Sequence, residues 1–157
     1  MAAMTRNPIP VHKATAGDLE ALVALECATF VSDRISRAQW RRHIGSDTAS
    51  VLVAGPGGRL DGAAVLFRRR NSRRARLYSL AVAAAARGRG VAKALLAAAE
   101  AEALRHGCNV LDLEVRTDNR AAIGLYEQRG YRRSGRLQGF YEDGADAWRY
   151  TRGLEDQ

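Results

Sequence analysis

The chain has 157 residues, 46% of them hydrophobic and 27% charged, with 25 Lys and Arg against 17 Asp and Glu for a formal net charge of +8. That is enough apolar sequence for one domain with its own core and too little for two, and the arginine-rich balance points to polyanionic ligands or partners rather than to a particular fold. Cys27 and Cys108 stand far apart in no CxxC or His/Cys grouping, no apolar run approaches about 18 residues, and the opening MAAMTRNPIP has no apolar centre, so neither a disulfide framework, a metal site, a membrane span nor a signal peptide is indicated and the cytoplasm is the expected location.

In chain order, PVHKA predicts a short strand over Pro10 to Ala14. Thr15 and Asp18, in capping-box spacing, then open a helix whose apolar positions are Leu19, Leu22, Val23, Leu25 and Phe30. Ser36 with Gln39 repeats the signal for a shorter helix, RAQWRRHI, which Gly45 ends. SVLVA, GPGG and LDGAAVLF read as strand, turn and strand. The run RRRNSRRAR, with six arginines from Arg68 to Arg76, is expected in solvent on the way into LYSLAV, the third strand of the meander.

After Gly90 the period changes. Ala92, Leu95, Leu96, Ala99 and Ala103 share one helix face up to a stop at Gly107, with His106 a favourable cation at the C-terminal end. NVLDLEVR alternates strictly, Leu111, Leu113 and Val115 on one face against Asp112, Glu114 and Arg116 on the other. TDN caps the helix RAAIGLYEQR, which ends at Gly130, and YRRSGRLQGFY and DAWRYTRGL supply two closing strands. The order β-α-α-β-β-β-α-β-α-β-β describes an α+β fold in a single domain, with a strand-helix-strand unit at its centre.

Between that central strand and helix stands ARGRGVAKAL. A helix start presents backbone N–H groups without partners, reinforced by the helix dipole. Gly88 and Gly90 let the main chain approach a ligand, and Arg87, Arg89 and Lys93 add charge around Val91 and Ala92, which together make a phosphate cradle. An exposed basic turn is the plain alternative. Lys93 stands where a dinucleotide-binding GxGxxG needs its third glycine, and no GK[ST] is present.

Arg87, Gly90 and Ala92, read as R-x-x-G-x-[GA] after an apolar strand, resemble the acyl-CoA pyrophosphate signature of the GNAT N-acetyltransferase superfamily. LDLEVRTDNRAAIGLYEQRGY is similar to the second half of that fold, and within it to the branch that acetylates the N-terminal alanine of a small-subunit ribosomal protein. The resemblance runs from Leu77 to Trp148 and leaves the N-terminal helices, where acceptor specificity usually lies, unassigned. It implies a mixed, mostly antiparallel sheet flanked by helices, with acetyl-CoA as cosubstrate and no metal. The acetyl group would pass directly to an amine: a protein N-terminus, or alternatively a lysine side chain or a small-molecule amine.

The same resemblance implies roles for particular residues. A splayed or bulged strand would free the backbone N–H groups of Leu80, Ala81 and Val82 for the thioester and the pantetheine arm. Asn119 and Ala122 would also meet that arm, although Asn119 reads equally well as an N-cap. Glu114 is the implied general base, with Asp112 a weaker competitor and an ordinary strand ion pair the alternative. Tyr126 is the implied general acid, or else an aromatic core filler. Tyr141, Glu142 and Asp143, with Asp146, would form an acidic rim to the acceptor groove, or simply a turn built on Asp143-Gly144. Relatives often carry Asp-Pro where this chain has Ala83 and Ala84, which loosens the loop before the cradle.

The arginine run reads as a solvated loop or as a dock for RNA or a ribosome. A rival of another class, a basic module holding nucleic acid or CoA without turnover, would depend on it. Monomer and dimer are not distinguished.

Overall fold

The computed structural model describes residues 8–56 and 58–154; the opening residues 1–7, with the reading of their missing apolar centre, Gly57 of the GPGG turn and residues 155–157 lie outside it. The chain runs β1 (Val11–Lys13), α1 (Leu19–Thr29), α2 (Arg37–Ile44), β2 (Ala49–Ala54), β3 (Gly62–Arg68), β4 (Arg74–Val82), α3 (Val91–Arg105), β5 (Val110–Arg116), α4 (Arg120–Gln128), β6 (Arg132–Leu137) and β7 (Ala147–Gly153), with single 3-10 turns at Ala16–Asp18 and Ala84–Ala86. This is the expected order of elements.

Local signals act where the sequence carries them. At α2 the Gln39 N–H donates to Ser36 Oγ at 3.2 Å and the Ser36 N–H donates to Gln39 Oε1 at 2.8 Å, a complete capping box. The Thr15 N–H donates to Asp18 at 2.8 Å, but this pair closes the 3-10 turn that precedes α1. At the end of α3, Gly107 takes φ 80°, the Cys108 N–H donates to the Ala103 carbonyl at 2.9 Å and the Gly107 N–H to the Leu104 carbonyl at 3.0 Å, the double closure of a Schellman stop.

The seven strands form one sheet in the order β1-β2-β3-β4-β5-β7-β6, antiparallel except for the β4–β5 pair. The last strand β7 inserts beside β5, with Leu113 opposite Tyr150, and leaves β6 on the edge. Leu66, Leu77, Leu95, Leu96, Leu111 and Leu113 pack α3 and α4 on one face, and Leu22, Leu25, Trp40, Val51, Val53 and Val65 pack α1 and α2 on the other. Each such side chain contributes about 1.5–3 kcal/mol by leaving water. The alanine-rich helix α3 also hides two glutamates. Glu100 joins Arg129, Arg152 and the Tyr131 hydroxyl, and Glu102, 0% exposed, joins Ser50, Lys13 and Arg105.

One irregularity positions the site. Val65 stands opposite Ser79 while Leu66 stands opposite Leu77, so Tyr78 is an extra residue in β4, a β-bulge that increases local twist. On the other side of β4, pairing with β5 runs only from Arg74 opposite Val110 to Leu77 opposite Leu113. Beyond that point the two parallel strands part, and the edge of β4 from Tyr78 to Val82 faces a slot.

Candidate active site

The slot ends at the glycine turn. Gly88 and Gly90 sit at φ 81° and 84°, the left-handed region where a Cβ is strained, and Gly90 occupies the N-cap position of α3 with no side chain closing the helix start. A Cβ at Gly88 would meet nothing within 4 Å, and one at Gly90 only Ile9 Cδ1 at 3.9 Å. Protein packing therefore does not demand these glycines; the backbone conformation does, and it leaves open space in front of the first N–H groups of α3. Arg87, Arg89 and Lys93 are exposed around that space and enter no ion pair among the described residues. Positive charge, uncapped amides and room for a close approach fit a pyrophosphate.

The unpaired edge of β4 supplies further donors. The Ala83 N–H donates to the Asp61 carbonyl at 2.8 Å, toward β3. Strand alternation then turns the N–H of Ala81 toward β3 as well, and those of Leu80 and Val82 toward the slot. Of the three expected donors, two face the ligand side.

On the α1/α2 face of the slot stands Glu114, 6% exposed, with Arg76 Nη2 at 2.6 Å from its Oε1. It is ion-paired, as one reading of the sequence has it, yet buried rather than solvated. The Arg76 Nε is buried without a hydrogen-bond partner among the described residues, and its guanidinium lies 5.3 Å from the ring centre of Tyr78. Asp112 is committed elsewhere, accepting from Arg74 Nη2 at 2.8 Å and Nε at 2.9 Å and from Thr151 Oγ1 at 2.7 Å, at the closed end of the strand pair. Its competition for the base role lapses.

Tyr126 of α4 lies on the opposite face of the sheet, in the core beneath α3 and α4. It is 6% exposed, its ring meets Tyr131 edge-on at 5.8 Å, and its hydroxyl forms no hydrogen bond among the described residues. Burial, and then the nearness of Tyr141, push its phenol well above the usual tyrosine value. Tyr141 is pushed up to about 12 by burial and then by the Glu114 charge. Tyr141 thus lies near both Glu114 and Tyr126. Asn119 caps α4, accepting from the Ala122 N–H at 3.2 Å.

The acidic rim is smaller than the sequence suggests. Asp143 is held by Arg116 at 2.7 Å, which keeps its carboxyl below the usual range, and Asp146 accepts from the Gly139 N–H at 2.9 Å and from Arg136 at 2.7 Å. Both charges are neutralised, and Asp143-Gly144 sits within the long connection from Gln138 to Asp146 rather than in a tight two-residue hairpin. Glu142 remains exposed, and its N–H donates to the carboxylate of Asp33 at 3.2 Å, joining the β6–β7 connection to the α1–α2 loop. Asp33 was not anticipated. Its φ of 54° is a conformation that aspartate tolerates better than most residues, so SDR between two helices carried a faint turn signal.

Parted parallel strands, a glycine cradle at a helix start, and a buried carboxylate and a buried phenol that each lie near Tyr141 define an acyl-transfer class of enzyme. The model of the acetyltransferase (GNAT) family matches residues 19–131, and the chain belongs to that family. The N-alpha-acetyltransferase RimI of Mycobacterium tuberculosis (strain ATCC 25618 / H37Rv) is 33% identical over 154 residues, covering 96% of each chain. Several other curated relatives are longer or only locally similar, and the match spans 33% to 62% of their length. Among solved structures, the ribosomal-protein-S18-alanine N-acetyltransferase from Escherichia coli superposes with a TM-score of 0.82 over 94% of this chain and 95% of that one at 23% identity, which establishes the fold. A chain of the NatC complex bound to Gag peptide and CoA superposes with a TM-score of 0.80 over 95% of this chain and 100% of that one at 25% identity. The family match begins within α1, further toward the N-terminus than the motifs legible in the sequence. Among the described residues no helix is long and apolar enough to cross a membrane.

Proposed function

We propose that the chain moves an acetyl group from acetyl-CoA directly onto the α-amino group of a protein N-terminus. The observation that carries this reading is the parting of β4 and β5 beyond Leu77 and Leu113, which opens a slot bordered by an unpaired strand edge, the Gly88–Gly90 cradle, Glu114 and Tyr126. The amides from Gly88 to Lys93, with Arg87, Arg89 and Lys93, hold the pyrophosphate. Leu80 and Val82 direct their N–H groups at the pantetheine arm and the thioester oxygen, where developing negative charge is stabilised. Asn119 and Ala122 border the same arm, Asn119 while also capping α4.

Glu114 takes the proton of the acceptor ammonium, directly or through water. Arg76 occupies Oε1 and leaves Oε2 for the acceptor. The nitrogen then bonds to the acetyl carbon as the carbon–sulfur bond breaks. Tyr126, protonated throughout the physiological range, donates a hydrogen bond to the sulfur as it takes on charge and passes its proton to the leaving thiolate, while the second proton of the attacking nitrogen returns to the phenolate and the proton held by Glu114 goes to solvent. Tyr141, Glu142 and Asp33 wall the acceptor side, with Val31 (94% exposed) and Phe140 (40% exposed) offering apolar surface to the acceptor's first residues. That wall, and the N-alpha-acetyltransferase name of the Mycobacterium relative, favour an N-terminus over a lysine side chain or a small amine.

The test is mass spectrometry of peptides incubated with acetyl-CoA, one set with free N-termini and blocked lysines, one with blocked N-termini and free lysines, beside a small polyamine. Acetylation confined to the first set is expected. Modification only of lysines or of the small amine would overturn the acceptor assignment and leave the transfer reading standing. If CoA binds and no amine reacts, the chain is a binding module.

A further inference from the structure

The arginine run from Arg68 to Arg76 divides in two. Arg68 donates to Ser50 and to the Asp47 carbonyl, Arg74 grips Asp112 and Arg76 grips Glu114. These three lie in strands with their charges engaged, a correction to the expectation of six solvated arginines. Arg69, Arg70 and Arg73 lie on the β3–β4 turn, are exposed, and enter no ion pair or side-chain hydrogen bond among the described residues.

The backbone that carries them is held in place. Asn71 takes φ 64°, the Ser72 N–H donates to the Arg69 carbonyl at 3.3 Å, and the Arg73 carbonyl accepts from Asn109 at 2.8 Å and Val110 at 3.2 Å. Three guanidinium groups are therefore displayed together, bordering a cavity of about 550 Å³ that Thr48, His106 and Cys108 also line. Like charges gathered on fixed backbone repel one another, and an anion relieves that cost. Among the described residues Asp47 is the one carboxylate lining the cavity, and it offsets only part of the three charges. The cavity is remote from the cradle, since the 15 residues of α3 separate them by about 22 Å.

We propose that this pocket binds the phosphate backbone of RNA, without reading its sequence. Among its described lining residues there is no Phe, Tyr or Trp, and the His106 imidazole is the single ring on which a base could stack, so contacts to the backbone dominate. Asn71, Ser72 and Thr48 instead place neutral hydrogen-bonding groups among the arginines, a mixture suited to phosphates and 2′-hydroxyls. The inference stands independently of the acceptor assignment.

The experiment is fluorescence anisotropy of a labelled single-stranded RNA, and of DNA of the same sequence, titrated at several salt concentrations. Wild type is compared with the triple variant Arg69→Ala, Arg70→Ala, Arg73→Ala. The expected results are RNA bound more tightly than DNA, a salt slope in log K reduced by about 2 in the triple variant, and affinity at low salt lowered at least tenfold. Saturating CoA should not displace the RNA, and acetyl transfer to a short peptide and the thermal midpoint should match wild type. A triple variant that binds RNA as wild type does would overturn the proposal, as would displacement of RNA by CoA, which would place the nucleic acid on the cradle. Equal affinity for DNA, or displacement by tripolyphosphate at equal phosphate concentration, would overturn the RNA assignment in favour of a general anion site. None of these outcomes touches the transfer reaction, which the peptide assay reports separately.

Discussion

Glu114→Gln isolates the proposed base with little change of shape. The carboxylate is 6% exposed and Arg76 lies 2.6 Å from it, so the amide keeps a hydrogen bond to the guanidinium and loses its charge assistance. That difference is worth about 1–2 kcal/mol, a fall in Tm of roughly 2–8 °C for a chain of this size, and the variant should remain folded. A positioned base accounts for about 10²–10⁴ in rate, so kcat/KM for the peptide at pH 7 should drop at least about 100-fold with CoA affinity unchanged.

The decisive measurement is the same comparison at pH 9. An α-amine of ordinary pKa, near 7.7–8.0, is about 12% unprotonated at pH 7 and more than about 90% at pH 9. Solvent then does what Glu114 does, and the deficit of the variant relative to wild type should shrink by about 7-fold, the ratio of those fractions. Stopped assays that follow thiol release at both pH values, with acetyl-CoA saturating, provide the four rates. A deficit of the same size at both pH values would refute amine deprotonation as the role of Glu114, and a variant within a factor of two of wild type at pH 7 would remove it from the chemistry.

Three further expectations follow from packing and charge. Tyr126→Phe keeps the ring against Tyr131 and deletes a hydroxyl without a partner among the described residues, so stability should change by less than about 0.5 kcal/mol while kcat falls about tenfold or more; an unchanged kcat would make Tyr126 a core residue only. Gly62→Ala would place a Cβ 2.8 Å from the Ala81 carbonyl and from Leu95 Cδ1 and 2.9 Å from Val91 Cγ1, costing about 1–3 kcal/mol and pushing the first turn of α3 off the sheet. Thermal melting and CoA calorimetry should show stability and CoA affinity falling together. Glu102 is fully buried. Burial raises its pKa, but hydrogen bonds from Ser50, Lys13 and Arg105 outweigh that and bring it from 4.5 down to about 2. A depressed folded-state value means stabilisation present above pH 4.5 and lost as the pH falls toward 2, so Glu102→Gln should cost about 3 kcal/mol by urea denaturation at pH 7, with the gap narrowing from pH 4.5 downward and nearly closed at about pH 2.

The parts of the site built from main chain were legible in the sequence. Glycines before an amphipathic period announce a helix start and left-handed turns, and Gly88, Gly90 and Gly107 adopt the conformations those positions demand. The alternation of NVLDLEVR placed Glu114 opposite the core leucines because a strand has no other period available. Pairings between side chains of separate strands were not legible, and here they decide the electrostatics. In one dimension Arg74 and Arg76 belong to a basic run, and Asp112 and Glu114 to an alternating strand. Only the parallel register, which sets Arg74 opposite Val110 and Arg76 opposite Asp112, lets each arginine reach the carboxylate two residues further along β5.

That register reverses two conclusions drawn from composition. The arginine-rich segment is half engaged inside the sheet, which concentrates its unpaired charge in Arg69, Arg70 and Arg73 on the turn. The aspartates near the last strands are likewise taken, Asp143 by Arg116 and Asp146 by Arg136. Under the proposed reading, an acceptor ammonium entering the cleft would meet Glu114, Glu142 and Asp33 rather than a broad acidic rim. Of these Glu114 alone is buried, so its attraction for the amine is the least screened by water and salt. The same burial sets a condition on productive binding. Under the same reading the ammonium would share the carboxylate with Arg76, and an acceptor approaching without aligning on the free oxygen would gain little from it.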